Sequence, residues 1–481
     1  AVFSEQRSQN NTVVAQGGGT LNDFSLYAAD YDENKHFFLS QYFRDAYDGA
    51  LVNYPFIRSQ VQITRLEVWV TNRSQQTLNV RNVVAIQDLG EPDPDNTRVG
   101  QANGDPAGFF NEMPTALPRN GTNDYDPDLI GAGGVLNSNI RDIATVESGF
   151  NFTGGYQSNQ GFDYAILENA RKLDQGRDYD FNAQLGYISL NQRLSNDEVL
   201  GVAFQYTYNG EVYQVGEFAN GGLDATTVAP GVTPIIENNT LILKLLKSNI
   251  TNITDPIWDL MMKNIYSLNT YNLNTDDLRF NVIYADDKTG AKFNYLPVED
   301  PVFANKRPLI AAFNMDRVNR QQEAKPDGIL DVLNGITVDT RRGRIIFPVR
   351  EPFGDYLYDN LSSAEDQEKY VYRALYDSTK FWAEQDVFHN KFFLKGSYKG
   401  NSSSRISLGA FNIPRGSVTV SAGGGQLIEN VDYTVDYNLG RVKIINDGIL
   451  SSGLPIKVDF ENNSLFNFQT KTFMGVNADY K

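Results

Sequence analysis

Apolar residues alternate with polar ones along much of the chain, and this period of two is typical of strands that are buried on one face. The pattern is clearest in VQITRLEVWVTN at residues 61–72, and strand-like sequence follows at residues 79–85 and again, with turns, at residues 185–218. Proline- and aspartate-rich text at residues 91–135 predicts long surface loops. The periodicity therefore predicts long strands joined by turns and loops.

Helical spacing of apolar residues appears in FDYAILENARKLDQG and in SSAEDQEKYVYRALYDSTKFWAEQ. The first stretch predicts a helix near residues 162–176, and the second predicts a longer helix at residues 362–385. Ser362 and Glu365 form a capping box at the start of the longer helix. Strands with a few helices between them predict a mainly-β, β-rich α+β fold made of several Ig-like or β-sandwich modules.

The chain also echoes itself. DYDFNAQLGYISLNQRLSNDEVLGVAF at residues 178–204 aligns without gaps with DYTVDYNLGRVKIINDGILSSGLPIKV at residues 432–458, and VDTRRGRIIF at residues 338–347 matches residues 435–444. Each copy has the pattern of a strand, a short turn that ends in glycine, and a second strand. Glycine is expected at the end of the turn because it readily adopts the positive φ that such turns require. The predicted turn glycines are Gly186, Gly343 and Gly440. Chance similarity among short hairpins is the alternative.

The C-terminal stretch FNFQTKTFMGVNADY, residues 466–480, carries apolar residues or threonine at every second position. This repeat is longer than the ~9–11 residues that cross a bilayer as a tilted strand. It predicts the start of a transmembrane barrel strand, with a soluble edge strand as the alternative. No apolar run reaches the ~18 residues expected of a transmembrane helix.

A chain of 481 residues is long enough for several modules. The predicted modules are 1–33 as a mobile lead-in, 34–236 as a first β-rich module with the loops and the helix near 162–176, 237–395 as a second α+β module with a hairpin at 336–350 and the helix at 362–385, 396–463 as an Ig-like β module, and 464–481 as the start of a barrel-type strand.

Composition narrows the possible functions. The net charge of −17 argues against nucleic-acid binding, which needs clustered lysine and arginine. The chain has no cysteine, and its acidic, Tyr-, Phe- and Asn-rich composition suits a protein of the bacterial cell envelope. His36 and His389 are the two histidines, too few for a histidine-based metal centre. Each is expected to be a packed or hydrogen-bonded structural residue.

Candidate chemistry is sparse. There is no P-loop, and two histidines far apart in sequence do not suggest a Ser-His-Asp site. Weak calcium candidates lack the full loop signature, so solvated acidic loops are the preferred interpretation. These candidates are Asp124, Asp126 and Asp128, with Asp93 and Asp95 at similar spacing. Arg344, Arg350 and Glu351 could clamp a ligand, but local pairing is the more ordinary role. We therefore predict no enzyme, no cofactor and no metal centre.

Several long phrases carry a family resemblance. They include NKHFFLSQYFRDAYDGAL at residues 34–51, RNVVAIQDLGEPD at 81–93, PIWDLMMKNIYSL at 256–268 and PDGILDVLNGITVDTRRGRIIFPVREPFGDYL at 326–357. In order along the chain, from about residue 34 to the end, they resemble the SprA (Sov) family. Members of this family are the giant outer-membrane translocons of the type IX secretion system in Bacteroidetes.

The resemblance implies a very large closed β-barrel that exports folded cargo and gliding-motility adhesins. This chain would then be a soluble, non-catalytic region, on the extracellular or the periplasmic side, that caps, lines or gates the pore. The implied partners are other type IX secretion subunits, secreted cargo, the barrel portion of the same protein and, through that barrel, the outer membrane. The alternatives are a cell-surface adhesin made of Ig-like repeats and a glycosidase with paired carboxylates.

Overall fold

The computed structural model describes residues 9–15, 21–73, 77, 79–91, 117–151, 158–220, 225–229, 235–287, 290–319, 321, 323–403, 405–408, 410 and 413–462. The chain divides into a large unit, Gly18–Asn401, and a small unit formed by Ala1–Gly17 together with Ser402–Lys481. Strands hold 34% of the residues and helices 17%, which confirms the predicted β-rich α+β class.

The strands, in chain order, are β1 (Gln9–Ala15), β2 (Leu21–Tyr27), β3 (His36–Phe38), β4 (Val61–Val70), β5 (Val80–Ile86), β6 (Tyr164–Lys172), β7 (Tyr179–Asn182), β8 (Tyr187–Leu190), β9 (Leu200–Tyr208), β10 (Glu211–Val215), β11 (Thr226–Ala229), β12 (Ile235–Asn238), β13 (Leu241–Lys247), β14 (Ile265–Ser267), β15 (Thr270–Ala285), β16 (Lys292–Phe293), β17 (Val338–Asp339), β18 (Arg344–Ile346), β19 (Phe392–Ser403), β20 (Arg405–Ser407), β21 (Thr419–Ala422), β22 (Gly425–Gln426), β23 (Tyr433–Asp436), β24 (Arg441–Ile444) and β25 (Ile456–Asn462).

The helices are short. The α-helices are α1 (Gln41–Leu51), α2 (Leu309–Ala312), α3 (Asp355–Asn360), α4 (Ala364–Tyr370), α5 (Ala374–Asp377), α6 (Lys380–Gln385) and α7 (Asp447–Ser451), and single 3-10 turns occur at Asn120–Thr122, Pro127–Leu129, Ser138–Arg141, Val146–Gly149, Pro256–Leu260 and Ala304–Lys306. Within the described residues, no helix combines the length and the apolar character needed to cross a membrane.

The large unit contains a closed five-stranded barrel. Its strands follow the order β9-β13-β5-β6-β4, and β4 pairs again with β9 to close the ring. β13 and β5 run parallel, whereas β4 and β9 pair antiparallel from Val61 opposite Tyr208 to Val70 opposite Leu200. Val68, Trp69 and Val70 are consecutive and all buried, so this end of β4 is covered on both faces. Because β13 belongs to the barrel, the sheet crosses the module boundary predicted between residues 236 and 237.

The helix predicted near residues 162–176 is wrong, because this segment contains strand β6. Leu167 and Ala170 are both buried although they are three residues apart. Asn169 lies between them with a positive φ of 48°, and the β5–β6 register shifts near the same point. Such a bulge breaks the period of two, so a strand acquires the apolar spacing of a helix.

The long helix predicted at residues 362–385 is also wrong in its continuity, since the segment forms α4, α5 and α6. The chain leaves the first helix at Val371, after which the Tyr372 amide donates to the Phe353 carbonyl at 2.7 Å. Ser363, rather than Ser362, caps α4 by accepting from the Asp366 amide. A tertiary hydrogen bond therefore outcompetes the continuous helix that the local sequence favours.

The predicted internal repeat appears as three sheets of identical plan. They have the orders β3-β8-β7, β14-β18-β17 and β20-β24-β23. In each sheet the last two strands form a hairpin whose turn ends at a glycine with φ between 57° and 63°. These turn glycines are Gly186, Gly343 and Gly440. In each case the glycine carbonyl accepts from the amide of a leucine that follows the first strand, namely Leu39, Leu268 and Leu408.

The turns themselves are held by the same polar contacts in all three copies. One Asn or Asp side chain accepts from two successive turn amides at 3.0–3.1 Å. These residues are Asn182, Asp339 and Asp436. Because the same backbone geometry and the same hydrogen bonds recur, the repeat is structural and not a chance likeness of short hairpins.

The small unit contains the third copy. Its other sheet has the order β1-β25-β21-β22, and Val420, Val442 and Val458 are fully buried in the unit. An Ig-like identity for this unit stays a prediction. Its division from the large unit at residues 401 and 402 lies close to the predicted boundary at residue 396.

The described residues of the predicted lead-in, 1–33, include two paired strands. β1 pairs with β25 along its whole length, and β2 pairs with β19. Phe24 and Leu26 pack against the core, and Tyr31 is buried. The few apolar side chains of this polar text are therefore placed on a buried face. The barrel-type strand predicted at residues 464–481 lies outside the described residues.

Candidate functional site: the charged cleft between two hairpins

The first and second copies of the repeat face each other in the large unit across a cleft of about 230 Å³. One wall comes from the β7–β8 hairpin and the other from the β17–β18 hairpin. The polar side chains that line the cleft include Asp180 and Ser189 on the first wall and Asp339, Arg342 and Arg344 on the second. The stretch GRIIF, which begins at Gly343, thus forms one side of a charged site.

Arg342 joins the two hairpins directly. Its guanidinium donates to the Asp180 carboxylate, and its Nε donates to Asn191 Oδ1 at 3.0 Å. It also pairs with Asp339 of its own turn at 3.4 Å. The arginine side chain is buried, so these three partners together offset the cost of removing its charge from water.

Arg344 lies deeper and forms part of a second network. Its Nε is 3.2 Å from Asp32 Oδ2, and the same oxygen lies 3.3 Å from His36 Nε2. His36 Nδ1 is 2.8 Å from the Ser189 hydroxyl. His36 and Ser189 are cross-strand neighbours in the β3–β8 pair, so the sheet register sets this last contact.

The electrostatics of this network keep the histidine neutral. Burial, together with the nearby Arg344 charge, lowers the pKa of His36 to about 4. Burial alone would raise the pKa of Asp32, but the Lys35 charge and the hydrogen bond to His36 hold it below its usual value. At neutral pH the network therefore contains a charged carboxylate, a neutral imidazole and a guanidinium.

The fold thus places a serine, a histidine and an aspartate in contact, although the two histidines are far apart in sequence. The arrangement is nevertheless poorly suited to nucleophilic catalysis. A general base works best when its pKa lies near the working pH, and the pKa of His36 lies well below neutral. The Asp32 oxygen that meets the imidazole is shared with Arg344, which reduces its ability to stabilise an imidazolium. The network is better suited to holding β3, β8 and β18 in place.

The calcium candidates do not form a site. Asp126 accepts from the backbone amide of Asp128 at 3.0 Å, as a turn residue does, and Asp128 is exposed. Burial raises the pKa of the Asp126 carboxyl, which opposes the charged form that a cation needs. Across the residues that the structure describes, no group of three or more Asp, Glu or His side chains could hold a metal ion. Asp93 and Asp95 lie outside those residues.

The other proposed clamp residues, Arg350 and Glu351, form ion pairs with residues of α1. Arg350 lies 2.8 Å from Asp45, and its backbone amide donates to Asp48 at 2.7 Å. Glu351 pairs with Arg44 at 2.7 Å. His389 contacts Asp386 at 2.7 Å near the surface, far along the chain from His36. The contacts of Arg350 and Glu351 anchor the segment after β18 to α1, and the His389 contact lies just after α6; all of them fit a structural role.

The sequence patterns did not identify Asp180, Ser189, Asp339 and Arg342 of the cleft, nor Asp32 of the network beside it. Asp32 stands in the polar lead-in, and the other four stand within the first and second repeat copies. The alignment of copies would have marked the hairpins as a pair of similar surfaces. It contains no signal that these two surfaces face each other.

Residues 1–214 match the model of the SprA_N family, described as motility related/secretion protein. The N-terminal part of this chain belongs to the SprA_N family. The match covers β3, β7 and β8, and with them the first wall of the cleft, whereas β17 and β18 lie beyond it. The match relates the N-terminal part of the chain to motility- and secretion-related proteins. No curated protein matches the chain.

Proposed function

We propose that this chain is a non-catalytic region of an outer-membrane translocon of the type IX secretion system. In this role it caps, lines or gates a protein-conducting pore and docks partner proteins during the export of folded cargo and gliding adhesins. The SprA_N match and the ordered SprA-like phrases support the proposal. The proposed partners are other secretion subunits, secreted cargo and the barrel portion of the same protein.

The observation that carries the non-catalytic part is the internal pairing of the cleft. Arg342 is engaged by Asp180, Asn191 and Asp339, and Arg344 is engaged by Asp32. A buried charge that already has its partners gains little from a substrate, because binding would first have to break those contacts. The cleft therefore serves as a joint that fixes two hairpins of a scaffold.

The test uses the full-length protein in its own host, with secretion of a reporter cargo and uptake of a large antibiotic as the two measurements. Deleting residues 34–463 should abolish secretion or leave a leaky pore. Normal secretion together with normal permeability would show that the region has no part in the translocon.

A finer experiment separates the joint from the mere presence of the region. Arg342→Asp should impair secretion, because it places two carboxylates opposite each other, and adding Asp180→Arg should restore the pair and part of the secretion. Arg350→Ala is the control, because the side chain of that arginine forms a surface ion pair with the exposed Asp45, and its loss should leave secretion unchanged. Equal secretion by Arg342→Asp and Arg350→Ala would contradict a structural role for the joint.

A further inference from the structure

The segment Lys380–His389 presents a group of exposed apolar side chains, here called the aromatic surface. It consists of Phe381 (61% exposed), Trp382 (64%), Val387 (70%) and Phe388 (81%). Single exposed apolar residues are common on soluble proteins, but four large ones within eight residues of chain form a concentrated patch. Tryptophan is among the residues that contribute most binding energy at protein interfaces, and phenylalanine is enriched in interface cores.

The backbone that carries the aromatic surface is firmly held. Ala383 is fully buried in the middle of α6, and its carbonyl accepts from the Tyr372 hydroxyl. Beyond α6, His389 contacts the Asp386 carboxylate at 2.7 Å and the Glu368 carbonyl at 3.0 Å. The aromatic side chains therefore project from a fixed scaffold, which lowers the entropy cost of binding.

The exposed charges in the stretch that carries the aromatic surface, residues 364–391, are mainly negative. Each basic side chain from residue 364 to residue 391 contacts a partner within the large unit. Lys369 bonds the Tyr370 hydroxyl, Arg373 lies over the Tyr358 ring, Lys380 bonds the Tyr31 carbonyl and Lys391 pairs with Asp287. The same stretch exposes four carboxylates to solvent, those of Glu365, Glu368, Asp377 and Glu384, against one exposed basic side chain, that of Arg373. The exposed charges of the stretch that carries the aromatic surface are therefore mainly negative.

We infer that the aromatic surface docks a segment of a partner protein that presents apolar side chains flanked by lysine or arginine. The inference rests on the proposed docking role and names the surface and the chemistry of the partner. An anionic lipid surface would be repelled by the exposed carboxylates. A second copy of this chain would carry the same exposed carboxylates and the same net charge of −17, so the two copies would repel each other. A basic partner is the one whose charge complements these exposed carboxylates.

The inference can be tested with the purified chain and a fluorescein-labelled helical peptide of leucine and lysine as the probe. Fluorescence anisotropy should show binding to the native chain that weakens as salt is raised. Replacing Phe381, Trp382 and Phe388 by serine should weaken it about 30-fold, as expected for the loss of interface anchors. Phe56→Ser is the matched control, because Phe56 is an aromatic side chain of similar exposure (79%) elsewhere in the chain, and it should not change the affinity.

Two charge measurements complete the test. Glu368→Lys combined with Glu384→Lys should weaken the leucine–lysine peptide and should allow a leucine–glutamate peptide to bind. Equal affinities for the native chain and the triple serine variant would overturn the inference. So would aromatic-dependent binding to phosphatidylglycerol vesicles, or an aromatic-dependent dimer in analytical ultracentrifugation. Arg342→Asp could block secretion in the host while the peptide binds the native chain and the triple serine variant equally well. That outcome would refute the docking surface but not the proposed function.

Discussion

Replacing Gly343 by alanine tests the repeated hairpin at the point where the geometry is tightest. Gly343 has φ of +57°, in the left-handed region. A Cβ built on it would lie 2.3 Å from the Thr270 carbonyl oxygen and 2.6 Å from Thr270 Cγ2. Thr270 is the first residue of β15 and is buried, so the added methyl group would meet strand backbone that cannot easily move.

Two costs add in this substitution. Holding an alanine in the left-handed region costs about 1–2 kcal/mol. Forcing an extra methyl group into packed surroundings costs about 1–3 kcal/mol, and a backbone carbonyl cannot turn away as a side chain can. The expected loss in the free energy of unfolding is therefore roughly 2–5 kcal/mol, a large part of the 5–15 kcal/mol typical of a folded domain. A β-branched residue such as valine should cost more still.

Urea denaturation followed by tryptophan fluorescence reports on the unfolding of the large unit, which contains Gly343. The three tryptophans are Trp69, Trp258 and Trp382, and all of them lie in the large unit with Gly343. Gly290→Ala is the matched control, because Gly290 has φ of +66° with no atom within 4 Å of the added Cβ. It should show the backbone cost alone, about 1–2 kcal/mol.

The comparison isolates the close approach to Thr270. Gly343→Ala should be less stable than Gly290→Ala by at least about 1 kcal/mol. If the two variants unfold at the same urea concentration with the same slope, the contact between the turn and β15 does not limit the residue at position 343. The explanation of the recurring glycine by close packing would then be wrong.

Three further predictions concern single residues. The pKa of His36 is about 4 in the folded chain and about 6.5 in the unfolded chain, so the unfolded state binds more protons between these pH values. The free energy of unfolding should therefore fall as pH falls from about 6.5 to about 4. His36→Gln should flatten that slope in urea titrations at several pH values. Arg344→Met, which leaves Asp32 without its buried partner, should cost about 3–5 kcal/mol, whereas Arg350→Ala should cost less than about 1 kcal/mol, both by urea denaturation. Gly440→Ala should destabilise the small unit as Gly343→Ala does the large one, since its Cβ would lie 1.7 Å from the Ala410 carbonyl oxygen; the small unit has no tryptophan, so far-UV circular dichroism is the measurement.

Local patterns predicted the hairpins because every feature that makes them is close in sequence. Alternation marks the strands, and glycine marks the turn. The same logic could have prevented the false helix at residues 162–176. NQGFDY at residues 159–164 resembles DQGRDY at residues 174–179, and in both the glycine amide donates at 2.7 Å to the carbonyl of the tyrosine that starts a strand. The same bond precedes β17 and β23, from the Gly335 amide to the Val338 carbonyl and from the Asn430 amide to the Tyr433 carbonyl. This turn therefore occurs four times, and ahead of β6 it predicts a strand where apolar spacing predicted a helix.

The cleft shows where local patterns end. Arg342 and Asp180 are 162 residues apart, and Ser189 and His36 are 153 residues apart. Each residue is an ordinary polar position of its own strand or turn. Their contacts depend on which copy of the repeat packs against which, and on the register between β3 and β8. Both are consequences of tertiary packing, for which periodicity has no signal.

The residue before the turn glycine shows how one backbone plan is adapted to three surroundings. The copies share the side-chain hydrogen bonds of the turn and the left-handed glycine, so their backbones are nearly equivalent. The preceding residue differs: Leu185 is buried, Arg342 reaches across the cleft to Asp180, and Leu439 is 48% exposed. A leucine at position 342 could fill the space but could not satisfy the half-buried Asp180 carboxylate or the buried Asn191 side chain. The arginine therefore distinguishes the second copy by what it faces, and the joint between hairpins is a property of that one position within a common scaffold.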